Sequence, residues 1–309
     1  MNKNLIYINK IKEDWIIDRV RAEWYKYNPQ QTTNIKSRAN VYWLLSPWIW
    51  KSLNLSKISN KKKIICSIYH IDEIKADGAY YRDFLERDKF ITKYHVISNK
   101  TENQIRGLTD KEITTIPFWI NTNIFYYMEN KIELRKKYNI LQNKFVIGSF
   151  QRDSEGNDLT LPKLSKGPDR LLKIYEFYKS IYGNNLLILL SGKRRNYIIK
   201  ELKLRNIDFY YLEMVDFKKL NELYNLLNLY IVASRFEGGP QAILESAITK
   251  TPIISTDVGI AAEILSDKSI FNMQNFRLAK PDVDSAYDKA KQFSIPEGFA
   301  KFNYLFESI

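Results

Sequence analysis

The sequence predicts an α/β protein built as two doubly wound domains facing each other across a cleft. Short apolar runs alternate with helical patterns along the whole chain, as parallel sheets flanked by helices require. At 309 residues the chain exceeds the roughly 100–200 residues of one domain. A polar stretch, residues 121–141, separates two sets of strand patterns and reads as the hinge, with Ile132–Tyr138 a charged surface helix inside it.

In the first half, apolar β-rich runs predict strands at Leu5–Ile8, Val41–Leu45, Lys63–Tyr69, Tyr94–Ile97 and Ile113–Ile116. Helical spacing covers Asp14–Tyr27, Asp72–Arg87 and Lys100–Gly107. The strands of the second half are cleaner: Phe145–Phe150, Leu186–Ser191, Phe209–Leu212, Leu229–Ser234 and Pro252–Thr256. Between them lie helices near Pro168–Tyr182, Asn196–Arg205, Asp216–Leu227, Pro240–Thr249 and Ile260–Leu265. Two amphipathic stretches, Asp284–Phe293 and Glu297–Ser308, close the chain. The expected division is 1–125, 126–290, and a C-terminal helix over 291–309 packing back toward the first domain.

Composition narrows the function classes. One cysteine, Cys66, excludes a disulfide framework and a cysteine-based zinc cluster, and two histidines, His70 and His95, argue against a His-rich metal site. No run approaches the roughly 18 apolar residues of a spanning helix, and MNKNLIYINKIKEDW lacks a signal peptide's apolar stretch. A cytoplasmic, reducing setting is therefore expected, with any membrane contact peripheral and on the inner face. Residues 1–140 hold 25 Lys+Arg against 15 Asp+Glu, a net of +10 out of +13. All six tryptophans (Trp15, Trp24, Trp43, Trp48, Trp50, Trp119) fall there too. Membrane headgroups, nucleic acid or a sugar chain would suit such a half, and core packing plus biased coding would also produce it.

The most informative stretch is SRFEGGPQAILESAITKTPIISTDVG, Ser234–Gly259. A strand ends at Ser234, and a loop with Glu237, Gly238 and Gly239 follows. Pro240 then suits the first helical position. Paired glycines admit close backbone approach, and the unbonded N–H groups of a helix start favour an anion such as a diphosphate. Glu245, about 9 Å along that helix, leans back toward the same ligand and suits ribose hydroxyls. Glu237 faces whatever lies beyond the phosphates.

Two glutamates bracketing EGGPQAILE, followed by a strand and DVG, resemble the donor-site motif of retaining GT-B glycosyltransferases, glycosyltransferase family 4 above all. IPFWINTNIF (Ile116–Phe125), FVIGSFQR followed by Lys166–Gly167, and the run FYYLEMV to EGGP are similar to further family segments in the same order. The resemblance spans about residues 60–270 and implies a GT-B fold. It implies that Arg152 and Lys166 bind the donor diphosphate, with Lys163 a substitute for Lys166. Glu245 would bind ribose, and Glu237 would support the transferred sugar and reactive centre. Backbone at Gly239, Pro240, Gln241 and Ala242 would cradle phosphates, Met214 would line the base pocket, and His70 would sit near the donor sugar. The glycine-rich loop usual after the family's first strand is missing, and the first domain is short.

Other candidates read as structural. Arg194 and Arg195 suit a solvated face, Asp282–Val283–Asp284 a helix cap, and Lys61–Lys63 a solvated run. The activity implied is transfer of a sugar from a UDP- or GDP-sugar to a hydroxyl of a glycan or lipid-linked acceptor. It would proceed with retention and without a metal or bound cofactor, through a front-face route. Two alternatives stand beside it: another sugar-nucleotide enzyme on the same fold, such as an epimerase, or a non-catalytic binding module for membranes or, less favoured, nucleic acid.

Overall fold

The structure is a computed structural model that describes residues 4–10 and 16–309. The start of the first expected helix, Asp14 and Trp15, lies outside the described residues. Contacts divide the chain into two compact units, Met1–Trp119 with Ile295–Ile309, and Ile120–Ser294. The divisions fall after Trp119 and Ser294, against the expected 125 and 290.

The first unit carries β1 (Ile6–Ile8), α1 (Ile16–Tyr27), β2 (Val41–Leu44), α2 (Leu55–Ser59), β3 (Lys63–Ile68), α3 (Gly78–Asp88), β4 (Lys93–Val96), α4 (Asn99–Ile105) and β5 (Ile113–Thr115). Its parallel sheet runs in sequential order β1 to β5. Ile6 pairs with Val41 on one side and, in a single parallel bridge, with Thr32 on the other. The chain thus leaves β1 outward through α1 and returns past β1 to reach β2, which is the reversal of a doubly wound sheet. Helix α1 and the C-terminal helix Ala300–Glu307 cover one face, while α2, α3 and α4 cover the other.

Alternation along β2 decides the two cores, Val41 and Trp43 facing the α1 side, Tyr42 and Leu44 the opposite side. Trp24, Trp43 and Trp119 are fully buried and pack with Phe299, Phe302 and Phe306. Three of the six tryptophans therefore serve the core. Trp50 donates to Asp83 at 2.9 Å, and Trp48 is exposed at 47%. Cys66, in β3, is fully buried, and burial pushes its thiol up to about 11.

The second unit follows with α5 (Lys131–Lys137), β6 (Phe145–Ser149), β7 (Ser154–Glu155), β8 (Leu161–Pro162), α6 (Pro168–Tyr182), β9 (Leu186–Ser191), α7 (Asn196–Leu204), β10 (Phe209–Leu212), α8 (Phe217–Leu226), β11 (Leu229–Val232), α9 (Gln241–Ile248), β12 (Ile253–Thr256), α10 (Ala261–Ile264), β13 (Ile270–Phe271) and α11 (Val283–Lys291). Its main sheet is parallel in the order β10-β9-β6-β11-β12-β13. The chain builds outward from β6 to β10, then jumps back to β11 and builds the other way. Helices α6 and α7 cover one face, and α5, α8, α9 and α11 the other. The switch point lies between β6 and β11, where ligands of such sheets bind beyond the strand ends.

Between β6 and α6, β7 and β8 form a small antiparallel hairpin. Asp282 stands at the N-cap position of α11, as the helix-cap reading expects, and its carboxylate pairs with Lys268 at 2.9 Å. No helix among the described residues is long and apolar enough to cross a membrane.

Candidate functional site

The switch point brings together segments far apart in sequence. The 3-10 turn Leu164–Lys166 ends at Gly167, whose φ of +64° suits glycine. An added Cβ there would stand 2.0 Å from the Ala233 carbonyl oxygen, so only glycine permits this approach. Arg235 N and Phe236 N donate to Ser165 O at 2.8 and 3.2 Å. The Arg235 guanidinium grips Asp169 through both carboxylate oxygens at 2.8 and 2.7 Å. Desolvation alone would raise the Asp169 carboxyl, but Arg235 outweighs it and holds it below the ordinary range. The Lys-Gly turn is thereby stapled to the end of β11.

That staple sets the central contact. Lys166 Nζ donates to Glu237 Oε1 at 2.6 Å, joining residues 71 positions apart whose side chains are only 15% and 10% exposed. Ser234 Oγ donates to the same oxygen at 3.0 Å. Gln151, one residue before Arg152, donates to Lys166 O at 3.0 Å, and its Oε1 lies 3.4 Å from Ser234 Oγ. Partly buried, this cluster sees less screening than a surface pair, so it is a fixed electrostatic element.

Gly238 and Gly239 form the loop floor against Gly259, whose φ is +50° and whose Cβ would collide with Gly238 O at 2.4 Å. The DVG glycine therefore exists to let the EGG loop lie on it. Pro240 is the N-cap of α9 and not its first helical residue, which is Gln241. Gly239, Pro240, Gln241 and Ala242 are each partly exposed at the helix start. Glu245, fifth in α9, is buried and accepts from Tyr224 Oη at 2.9 Å. Desolvation first, and the Glu245 carboxylate second, hold the Tyr224 hydroxyl protonated far above its ordinary range. Tyr224 packs edge-on against Phe150, whose N–H donates to Tyr230 Oη at 3.1 Å.

Arg152 lies exposed on the loop after β6, in the same row of strand ends. Met214, 56% exposed beyond β10, lines a shallow depression of about 800 Å³ with Lys137, Tyr138, Lys193 and Glu213. Lys163 N donates to Asp153 O at 2.7 Å, so its backbone closes the hairpin. In the first unit, His70 stands partly exposed beyond β3. His95 is buried in the aromatic core between Ser67 Oγ and Ile116 O, each at 2.8 Å, and desolvation lowers it to about 4.

One reading is overturned. Arg195 does not face solvent: it is fully buried, ion-paired with Asp153, and donates to Ser149 O at 2.6 Å and Ser191 O at 2.8 Å. No sequence pattern signalled this, nor the parts played by Gln151, Ser234 and Asp169. Tyr224 lay inside a run already singled out, without its role being legible. Among the described residues, no group of three or more His, Cys, Asp or Glu is placed to hold a metal ion.

With the site laid out, its likeness to known proteins falls into place. The Glycosyl transferases group 1 family model matches residues 160–296, from the hairpin through α11. The O-antigen chain mannosyltransferase RfbU of Salmonella typhimurium is 19% identical over 312 residues, covering 93% of this chain and 84% of the relative. The structure of Anabaena Alr3699/HepE in complex with UDP and glucose superposes with a TM-score of 0.78 at 11% identity, covering 99% of this chain and all of that one. Sucrose-phosphate synthase of Thermosynechococcus elongatus gives 0.69 at 13% identity, covering 97% and 80%. The chain has the fold of these GT-B structures, and residues 160–296 carry the likeness to the Glycosyl transferases group 1 family. The strand order 3-2-1-4-5-6 of its second unit is the nucleotide-binding arrangement of that fold.

Proposed function

We propose that this chain is a GT-B glycosyltransferase and belongs with glycosyltransferase family 4. It would move a sugar from a nucleoside diphosphate sugar to a hydroxyl of a glycan or lipid-linked acceptor, with retention and without a metal. The observation that carries this is the Lys166–Glu237 ion pair, set at the switch point beside the start of α9 and Glu245. Lys166, Arg152 and the first N–H groups of α9 supply positive charge where a diphosphate leaving group gains negative charge. Glu245, oriented by Tyr224, offers its carboxylate to ribose hydroxyls. Glu237 lies against the transferred sugar, where its charge stabilises an oxocarbenium-like centre. In a front-face route the leaving phosphate oxygen serves as base for the acceptor hydroxyl. Met214 borders the base, and His70 is the first unit's proposed catalytic residue.

UDP-sugars are the first donors to test, because HepE is bound to UDP, and mannosyl donors the second, because RfbU is a mannosyltransferase. The experiment is a thermal-shift panel of UDP, GDP, ADP and their sugar conjugates, with and without EDTA. One diphosphate should raise the midpoint, insensitive to EDTA, with the effect lost in Glu245→Ala. No shift from any of them would turn the assignment toward a binding module acting through the basic first unit.

A further inference from the structure

Asp153 and Arg195 are a buried ion pair that the reaction proposed above does not use. Each side chain is 0% exposed, and every polar group of Asp153 is engaged. Its N–H donates to Arg194 O at 3.2 Å, and its carbonyl accepts from Lys163 N at 2.7 Å. Oδ1 accepts from Ser154 Oγ at 2.9 Å and Ile198 N at 3.4 Å, while Oδ2 meets Arg195 Nε. Arg195 in turn donates to Ser149 O, Ser191 O and, at 3.2 Å, Ser149 Oγ, at the carboxyl ends of β6 and β9.

Burying two charges costs several kcal/mol of desolvation, and well-packed apolar side chains often serve a core as well or better. The β6–β9 ladder is already paired from Phe145–Leu186 to Ser149–Leu190, so the sheet does not need this tie. What the pair adds is direction. It fixes the loop at Asp153, immediately after Arg152. Through the Asp153 carbonyl it also fixes Lys163, whose own carbonyl accepts from Lys166 N at 2.8 Å. The hairpin β7–β8, exposed at its tip, lies between these anchors.

We propose that Asp153 and Arg195 are positioning residues for donor binding: one buried post sets both ends of the loop, and so aims Arg152 and Lys166 at the diphosphate. The proposal rests on the donor-site reading above. Its test is calorimetric affinity for UDP and GDP against UMP and GMP in three variants of the full chain. Asp153→Asn keeps shape, Arg195→Lys keeps charge, and Asp153→Leu with Arg195→Met keeps a filled core should the single variants fold poorly. Diphosphate affinity should fall about tenfold or more in each while monophosphate affinity stays within about twofold. Donor KM should rise accordingly, by more than kcat falls. An unchanged diphosphate-to-monophosphate ratio, with only the melting temperature lowered, would make the pair purely structural. Wild-type protein that binds neither diphosphate would instead remove the donor site itself, and the positioning role with it.

Discussion

Replacing Gly167 by alanine tests how the site is assembled. Two costs add. A left-handed residue with a Cβ costs about 1 kcal/mol, and φ here is +64°. The new methyl would also stand 2.0 Å from the Ala233 carbonyl oxygen, where real Cβ atoms stay beyond 3.0 Å, so backbone at the end of β11 must retreat by about 1 Å. Overpacking of that kind costs about 1–3 kcal/mol, giving a total of about 2–4 kcal/mol. Gly156, on the hairpin, isolates the first cost. Its φ is +87°, but the nearest atom to an added Cβ is a flexible Leu161 methyl at 3.4 Å. Gly156→Ala should therefore lose only about 1 kcal/mol. Urea melts of both variants give the difference. Nucleotide affinity gives a second reading, because retreat of β11 opens the Ser165–Arg235 and Lys166–Glu237 contacts. If the two variants lose the same stability and Gly167→Ala binds nucleotide normally, the close approach does not organise the site.

Three further outcomes are expected. Glu237→Gln should lower turnover about 100-fold while changing donor affinity less than about fivefold, as measured by steady-state kinetics, since its charge acts mainly in the transition state; unchanged turnover would remove Glu237 from the site. Tyr224→Phe strips a donor from the buried Glu245 carboxylate and should cost about 1–3 kcal/mol of stability, with weaker nucleotide binding in calorimetry and no change in the donor-to-product ratio. His95, lowered to about 4 by burial, binds protons more readily unfolded than folded. The stability of keeping it neutral is full above about pH 6.5 and drains away as pH falls toward 4, amounting to about 3 kcal/mol. Chemical melts across that range should show a slope that His95→Gln flattens.

The sequence exposed what repeats or runs and concealed what pairs at a distance. Continuous apolar strands such as Leu186–Ser191 showed both ends, because a strand buried on both faces must be apolar throughout. The hairpin β7–β8 was hidden because SEGNDLTLP is polar and turn-rich, with no alternation long enough to register as strands. The reversal of the first sheet rests on the single Ile6–Thr32 bridge, which no periodicity can announce. Glu237, Glu245 and Lys166 were legible through their motifs. That Lys166 would touch Glu237 was not, since it follows from the Gly167–Ala233 approach. Arg195 misled most, because a basic run after a strand looks like surface until Asp153, 42 positions away, is seen beneath it.

The concealed thiol of Cys66 has a practical corollary. Enclosed in β3, with its ionisation pushed up to about 11, it will ignore maleimides at neutral pH. A cysteine introduced at Asp158, on the exposed hairpin, would then be the only site to take a fluorophore, without first removing the native one. The movements of the loop that bears Arg152 and Lys166 could be followed by a single dye, in an otherwise unaltered protein, as each nucleotide is added.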